Sequence, residues 1–388
     1  STLLASSAAS DVYKRQLTSW AKKGDLMKVK DKSISAWQTA ILMFTLLFAN
    51  KVLMLPSLLY NGAKVEAFII PIILSLFEFG LLFLFYKLKT KYPNESFFVI
   101  LKTNFGKVIP VILYLFLMFF FLCKAAILYN ITYVFFRKLI YKDSSNILFL
   151  FCFIPIVNYL AIVGLRVMGR TMQLFFPVIL VIVLFCVIVG FFGINSQPIF
   201  FQASPQDFFI TTLKHFASFG DTIFLFLIMD RVNIKPGKWK VVFCLSGISL
   251  VLVCLISIVF ILSYTYVSFL HPFALFEIMN YVKEYGGLGR IDIISMVVII
   301  MLTYFHLSIY LKGFVLSFQS VFSKIDDAYS FWTFNILMLL IINYVVLNLE
   351  TTLYYGENFV SYISLISFVL VPLLVAILLF KKKRSVPR

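Results

Sequence analysis

Four ionisable residues lie inside stretches of apolar sequence, and their types and positions make them the best candidates for chemistry in this chain. They are two lysines and two acids, Lys51, Glu78, Lys124 and Asp221. A charge at the centre of a membrane is costly to leave unpaired, and such residues often mark substrate or ion pathways. We therefore predict that these four side chains form an intramembrane charge network.

The sequence leaves the pairing within this network open. Asp221 is the first predicted partner of Lys51, and Glu78 is an alternative partner. Lys51 could instead extend its amine to the outer membrane surface, because Asn61 and Lys64 follow it closely. A Glu78–Lys124 pair competes with these arrangements on similar merit.

Two apolar segments carry signals that interrupt a helix close to these charges. Pro56 follows Lys51 and Gly220 directly precedes Asp221. Proline removes a backbone donor, and glycine permits an unwound backbone. Interrupted helices at corresponding positions of two halves are typical of an inverted-repeat transporter site. The predicted substrate-binding residues are those at the two interruptions: Ala49, Asn50, Lys51, Ser218, Phe219, Gly220 and Asp221.

The elements that must position these residues are membrane-spanning helices. Hydrophobic residues make up 62% of the 388 residues and charged residues 13%, whereas a soluble domain has about a quarter charged. Apolar runs of about 20 residues are long enough to cross a bilayer, where the backbone must be helical. The fold class predicted is all-α and polytopic, with ten spans at 35–59, 67–86, 108–136, 147–165, 172–194, 207–229, 241–269, 291–318, 331–349 and 359–380.

Basic residues alternate between the connecting segments. One set holds 21 lysines and arginines and the alternate set holds seven, so the positive-inside rule places the richer set in the cytoplasm. Both termini are then predicted to be cytoplasmic. The net charge of +17 is thereby explained without a nucleic-acid partner. The richer set comprises Met27–Ser33, Lys87–Lys107, Arg166–Arg170, Arg231–Lys240, Lys312–Lys324 and the tail from Lys381.

The Lys87–Lys107 loop has an amphipathic pattern, in which Phe97, Phe98, Ile100 and Leu101 alternate with charged residues before Gly106. This predicts a short helix at the cytoplasmic surface. Ordinary packing of the loop under the bundle is the alternative.

Residues 1–26 do not fit the rest of the chain. Asp11 to Gln16 reads as the translation of a transposon end used in sequencing libraries, and Lys23-Gly24-Asp25 as a translated ribosome-binding site. Segments of this origin are excluded from fold reasoning. We expect residues 1–26 to be a non-native leader and residues 27–388 to form a single transmembrane permease-like domain.

Catalytic and cofactor motifs are not evident. The five cysteines have no paired spacing, the three histidines are dispersed, and no nucleotide-binding loop is found. We expect no enzyme activity, no metal and no cofactor.

Several short motifs follow one another along the chain: Ile34-Ser35-Ala36-Trp37-Gln38, Leu53-Met54-Leu55-Pro56, Lys91-Tyr92-Pro93, Phe105-Gly106-Lys107, Tyr159, Gly164, Arg170, Phe176-Pro177, Phe219-Gly220-Asp221 and Arg290-Ile291-Asp292. In this order they resemble the endospore germination permeases, the B subunits of germinant receptors. This family is part of the amino acid–polyamine–organocation superfamily, and the resemblance extends from about Ser33 to Lys383.

The resemblance implies a five-plus-five inverted repeat of the leucine-transporter (LeuT) type. It also implies recognition of a small germinant, commonly an amino acid, within a complex in the inner membrane of the spore. The implied partners are a larger membrane A subunit with a soluble domain and a lipoprotein C subunit.

The chain departs from the family pattern at the first interruption, where Ala49-Asn50-Lys51 replaces a Gly-rich stretch. Lys51 could take over the role of the backbone amides and bind a substrate carboxylate. It could instead pair with Asp221, which stands where the family has Glu, and leave a site for a neutral ligand or none. Two functions remain: a germinant-receptor subunit, or an amino-acid transporter coupled to protons through Asp221, Glu78 or Lys51.

Overall fold

The computed structural model describes residues 33–139, 146–192, 194, 203–286, 292–346 and 349–381. The predicted leader, residues 1–26, lies outside these ranges, as do Arg290 and Ile291 of the last family motif. Within the described residues every regular element is a helix, and one isolated backbone bridge joins Ile34 to Val232.

Fourteen α-helices can be described in these ranges, several of them joined by 3₁₀ turns. In chain order they are α1 (Ala36–Phe48), α2 (Leu55–Ala63), α3 (Ile69–Lys91), α4 (Phe97–Phe105), α5 (Val108–Leu139), α6 (Asn146–Ile162), α7 (Leu165–Phe192), α8 (Pro205–Lys214), α9 (Phe224–Leu227), α10 (Trp239–Tyr264), α11 (Ala274–Gly286), α12 (Asp292–Val321), α13 (Asp327–Val346) and α14 (Leu349–Phe380).

Within the described residues, six helical segments are long and apolar enough to cross a membrane: Leu55–Lys91, Val108–Leu139, Leu165–Phe192, Pro236–Tyr264, Asp292–Val321 and Asn358–Phe380. Three further apolar helices, Ala36–Phe48, Phe149–Ile162 and Ala328–Ile342, are shorter. The prediction of an all-helical membrane protein is therefore confirmed, whereas the count of ten spans stays a prediction. The first and sixth predicted spans fall short of this length because each is divided into short helices.

Two details of the predicted topology differ in the structure. The predicted spans leave 270–290 as a loop, but α11 occupies most of it, and its acidic and basic residues lower the hydropathy that marks a span. The charge alternation counts Lys312 with the cytoplasmic segments although the predicted span 291–318 also contains it; it is a buried residue of α12, and the side that it faces stays a prediction.

The amphipathic helix predicted in the Lys87–Lys107 loop is present as α4. Its apolar residues Phe97, Ile100 and Leu101 are fully buried, and the helix packs on α5. Its apolar face therefore covers the end of the bundle, so both features of the sequence interpretation, a helix and packing under the bundle, are found together.

Helix α1 lies at the centre of the bundle. Almost every residue between Ala36 and Phe48 is buried, which is the pattern of a helix surrounded by others. It packs against α10 on one side and α7 on another, while α12 packs along α5 and α6. The residues that follow the end of α1 therefore lie in the interior of the protein.

Candidate functional site

The first interruption is a stretch of turns between α1 and α2. Helix α1 ends at Phe48, and the Lys51 amide closes a tight turn by donating to the Phe48 carbonyl at 3.1 Å. Pro56 is near the start of α2, where a missing backbone N–H costs no helical hydrogen bond. The break predicted from Pro56 is confirmed, and it carries Ala49, Asn50 and Lys51 into the buried interior.

The second interruption lies between α8 and α9. After the 3₁₀ turn His215–Ser218 the backbone is extended at Phe219, and Gly220 has a φ of 91°. This left-handed conformation favours glycine, since a side chain would strain it. A second 3₁₀ turn then begins at Asp221, so the break predicted at Ser218–Asp221 is also confirmed.

Glu78, from the middle of α3, binds the backbone of the second interruption. Its Oε1 accepts hydrogen bonds from the Gly220 amide at 2.7 Å and the Asp221 amide at 3.2 Å. These amides are free of helical hydrogen bonds because the helix is interrupted there. The Glu78 carboxylate thereby replaces the missing intrahelical acceptors.

Lys124, from α5, holds the other side of the same interruption. Its Nζ donates to the Phe219 carbonyl at 2.6 Å and to Asp221 Oδ1 at 2.5 Å. The Tyr310 hydroxyl of α12 also donates to Asp221 Oδ1, at 2.7 Å. One carboxylate oxygen of Asp221 therefore has two strong partners.

The remaining polar atoms of the network have few hydrogen bonds. Lys51 Nζ lies 2.9 Å from Glu78 Oε2 and 3.7 Å from Asp221 Oδ2, yet in the described structure it donates no hydrogen bond of good geometry. Asp221 Oδ2 likewise accepts none there, and His306 Nε2 is 3.8 Å away. Lys51 Nζ therefore lies between two carboxylates, in a close ion pair with Glu78 and a longer one with Asp221.

The structure brings together all four residues of the predicted charge network, but not in the pairing favoured first. Lys51 is closer to Glu78 than to Asp221, and Lys124 binds Oδ1 of Asp221, the carboxylate oxygen that Lys51 does not contact. The competing Glu78–Lys124 pair is not the arrangement found. The alternative in which Lys51 reaches the outer surface is wrong, since its side chain is 0% exposed.

A narrow cavity lies beside the network, between α2, α5 and the 3₁₀ turn before the second interruption. Its volume is about 10 Å³. This leaves room for about one water molecule. Asn50 and Ser218 line the cavity, so two of the predicted substrate-binding residues share it. His215 also lines it, and the other walls are apolar: Met54, Leu55, Leu58, Ile127 and Ile131.

Two residues that adjoin the charge network, His306 and Tyr310, were missed by the sequence interpretation. Both are fully buried in α12. Their spacing of four residues puts them on the same face of one helix, and their polar groups lie in an apolar segment. This spacing of two polar residues in an apolar segment is the sequence signal that could have identified them. Within the described residues, no group of three or more His, Cys, Asp or Glu side chains is placed to hold a metal ion.

Comparison of the sequence with known protein families shows to which family this chain belongs. The family model described as spore germination protein, a spore permease, matches residues 33–381. The chain belongs to the spore germination protein family. The matched range contains both interruptions and every member of the charge network, and membership supports a germination-related permease role for this membrane protein. A comparison with curated proteins gives no match.

Proposed function

We propose that this germination permease binds a small germinant, an amino acid, between its two interrupted helices, and that binding signals germination. The observation that carries the proposal is the pair Lys51 Nζ and Asp221 Oδ2, which lie 3.7 Å apart, one at each break, and are joined by an ion contact rather than by a hydrogen bond. An amino acid zwitterion has one group for each of them, since its carboxylate can bind the lysine and its ammonium can bind the aspartate.

Burial of the charges supports a role beyond packing. Lys51, Glu78, Lys124 and Asp221 have side chains that are 0–2% exposed. A buried ion pair is weak evidence for stability, because desolvation offsets most of its attraction. Four such charges around two helix breaks are therefore better explained by ligand binding than by stabilisation of the fold.

Ligand binding would have to open the site. The cavity beside the network has room for about one water molecule, so it cannot hold an amino acid and the described conformation corresponds to a closed site. The ligand would transmit a signal only through different affinities for the closed and open conformations. Movement of the short helix α2 is the simplest way to enlarge the cavity, since α2 lines it and begins directly after the first break.

We further propose that the bundle is a ten-span, five-plus-five inverted repeat of the LeuT type. The two interruptions fall in the first and sixth of the predicted spans, the equivalent positions of such a repeat. The partners in this proposal are a germinant-receptor A subunit and a lipoprotein C subunit in the inner spore membrane. No catalytic step is part of the proposed function.

The test is germination of spores that carry this gene and its neighbouring subunit genes in a receptor-null background. A panel of the common amino acids is added singly, and germination is followed by loss of optical density. The proposal predicts a response to one amino acid or a few related ones. Absence of any response, with the protein present in the spore membrane, would contradict it.

A proton-coupled amino-acid transporter is the second candidate, and the position of His306 favours it. His306 Nε2 lies 3.8 Å from Asp221 Oδ2. A titratable imidazole therefore adjoins the network, and histidine is a common proton carrier. Uptake of labelled amino acids into proteoliposomes, with and without a pH gradient, separates the two functions. Saturable, gradient-dependent uptake favours the transporter, and binding without uptake favours the receptor.

A further inference from the structure

A polar pocket opens at the end of α1 opposite to Lys51. Its volume is about 350 Å³. This is far more than the narrow cavity beside the charge network, and it is enough for a small ligand or a head group. None of the residues that line it is acidic. They are Ser33, Ile34, Ser35, Gln38, Arg166, Arg170 and Asn233.

Two arginines give this pocket its charge. Arg166 and Arg170 are four residues apart on α7 and therefore lie on the same face, where like charges repel. In the part of the chain that the structure describes, neither guanidinium has a hydrogen bond or an ion pair. Because no acidic side chain among the described residues pairs with these two cations at the open pocket, an anionic ligand is a fitting partner for them.

Hydrogen bonds fix the wall of the pocket formed by α1. Ser35 caps α1 by accepting from the Gln38 amide at 3.3 Å, and Gln38 Oε1 accepts from the Ser35 amide at 3.0 Å. Gln38 Nε2 donates to the Arg166 carbonyl at 3.4 Å and so joins α1 to α7.

Besides α1 and α7, the pocket has a third wall, formed by the segment around Asn233 that follows the sixth predicted span. The Ile34 amide donates to the Arg231 carbonyl at 2.8 Å, and the Asn233 amide donates to the Ile34 carbonyl at 3.1 Å. The pocket is therefore a preformed junction of three segments rather than a gap between mobile loops. The side chains of Ser33 and Asn233 are exposed at this junction.

We propose that this pocket binds a phosphate group, carried by an anionic phospholipid or by a soluble phosphate compound. The guanidinium fork matches two phosphate oxygens, and arginine is enriched where phosphate is bound in this way. The alternation of basic loops predicts that this end of the bundle faces the cytoplasm, where basic pockets between membrane helices bind anionic head groups. A bound phosphate joins the beginnings of α1 and α7 to the segment that follows the second interruption.

The experiment uses the full-length chain in a mild neutral detergent. Its melting temperature is titrated with inorganic phosphate against chloride at matched ionic strength, and with short-chain phosphatidylglycerol against short-chain phosphatidylcholine. Stabilisation by inorganic phosphate assigns the site to soluble phosphates, whereas stabilisation by phosphatidylglycerol alone assigns it to a lipid head group. Absence of stabilisation by both probes overturns the proposal.

Variants then locate the effect. The R166Q/R170Q variant is expected to lose about tenfold or more in apparent affinity, because hydrogen bonds between charged groups contribute that much each. The matched control K235Q/K238Q removes two exposed charges from the same end of the bundle and is expected to keep the native affinity. Equal losses in both double variants would show a diffuse charge effect and overturn the assignment.

Asn233→Asp provides an independent test if R166Q/R170Q does not fold. It adds a negative charge at an exposed side chain that lines the pocket, without changing the backbone bonds of residue 233. We expect the added charge to repel phosphate and weaken binding several-fold. Native affinity in Asn233→Asp would contradict the proposal.

Discussion

Two lysines and two carboxylates share the interior of this membrane protein, where each would be costly alone. Their attraction is reinforced by three backbone groups: Glu78 accepts from the amides of Gly220 and Asp221, and Lys124 donates to the carbonyl of Phe219. Removal of one member leaves its partner buried without compensation. The network therefore behaves as a unit, and single substitutions should be more harmful than paired ones.

Lys124→Gln leaves Asp221 buried with Tyr310 as its main donor. We expect it to destabilise the protein by about 3 kcal/mol, because an uncompensated buried charge is costly. The double variant Lys124→Gln/Asp221→Asn removes both charges and should be more stable than Lys124→Gln alone. The measurement is the melting temperature of Lys124→Gln, of Asp221→Asn and of the double variant, all in the same detergent. A double variant that loses the sum of the two single losses would contradict the pairing.

Gly220→Ala is expected to cost about 1–3 kcal/mol, since a non-glycine residue in a left-handed conformation is strained. The added Cβ would also lie 3.1 Å from the Phe368 ring. Gly80→Ala is the matched control, because its Cβ would meet nothing within 4 Å and alanine is favoured in a helix. Equal melting temperatures for the two variants would count against a strained backbone at Gly220.

The site residues could be predicted from the sequence in type but not in pairing. Lys51, Glu78, Lys124 and Asp221 stand out because charged residues are rare in apolar segments. Which of them pair depends on how the helices are rotated and on where the amides of Gly220 and Asp221 point, and no sequence periodicity reports either of these. Glu78 binds Lys51 because the Gly220 and Asp221 amides already position its carboxylate at the break.

At the scale of the elements, a short helix adjoins each break: α2 follows the first break and α8 precedes the second. Helix α2 contacts α8 closely, and Gly62 makes this approach possible, because a Cβ at position 62 would clash with the Thr211 side chain. Thr211 is buried and donates to the Asp207 carbonyl at 2.6 Å, so it cannot turn away without losing that bond.

Gly62→Ala is therefore expected to push α2 and α8 apart and to lower the melting temperature. Adding Thr211→Ala removes the two atoms that clash most, and it should recover much of the loss. Thr211→Ala alone is the control for the lost hydroxyl. If the double variant is no more stable than Gly62→Ala, the two helices are not in contact as described.

Helices could be predicted from the sequence where a long apolar run marks them, and less well where their residues are polar. Long helices such as α5 and α12 follow from continuous apolar runs, and both breaks follow from Pro56 and Gly220. Helix α11 was missed because its polar residues resemble a loop, and its helical state depends on packing against α10 and α12. Tertiary contacts of this kind override local composition.

At the scale of the whole molecule, the alternation of basic segments predicts which residues face each side of the membrane. Lys64 and Lys235 belong to opposite sets, so single cysteines at these positions should react with a membrane-impermeant maleimide from opposite sides. We expect Lys64→Cys to be labelled in intact cells and Lys235→Cys only after lysis, each compared with the parent protein. Labelling of both positions from outside would contradict the predicted orientation.

The central claim is that Lys51 and Asp221 hold an amino acid between the two breaks, and ligand binding tests it most directly. Binding of the amino acids that trigger germination is measured with the full-length chain and any co-purifying subunits, for the native protein, Lys51→Gln, Asp221→Asn and the exposed control Lys107→Gln. We predict at least a tenfold loss of affinity for the first two variants, with the control unchanged, because a hydrogen bond to a charged group contributes about 1.5–3 kcal/mol. Native affinity in properly folded Lys51→Gln and Asp221→Asn would place the ligand elsewhere and contradict the account.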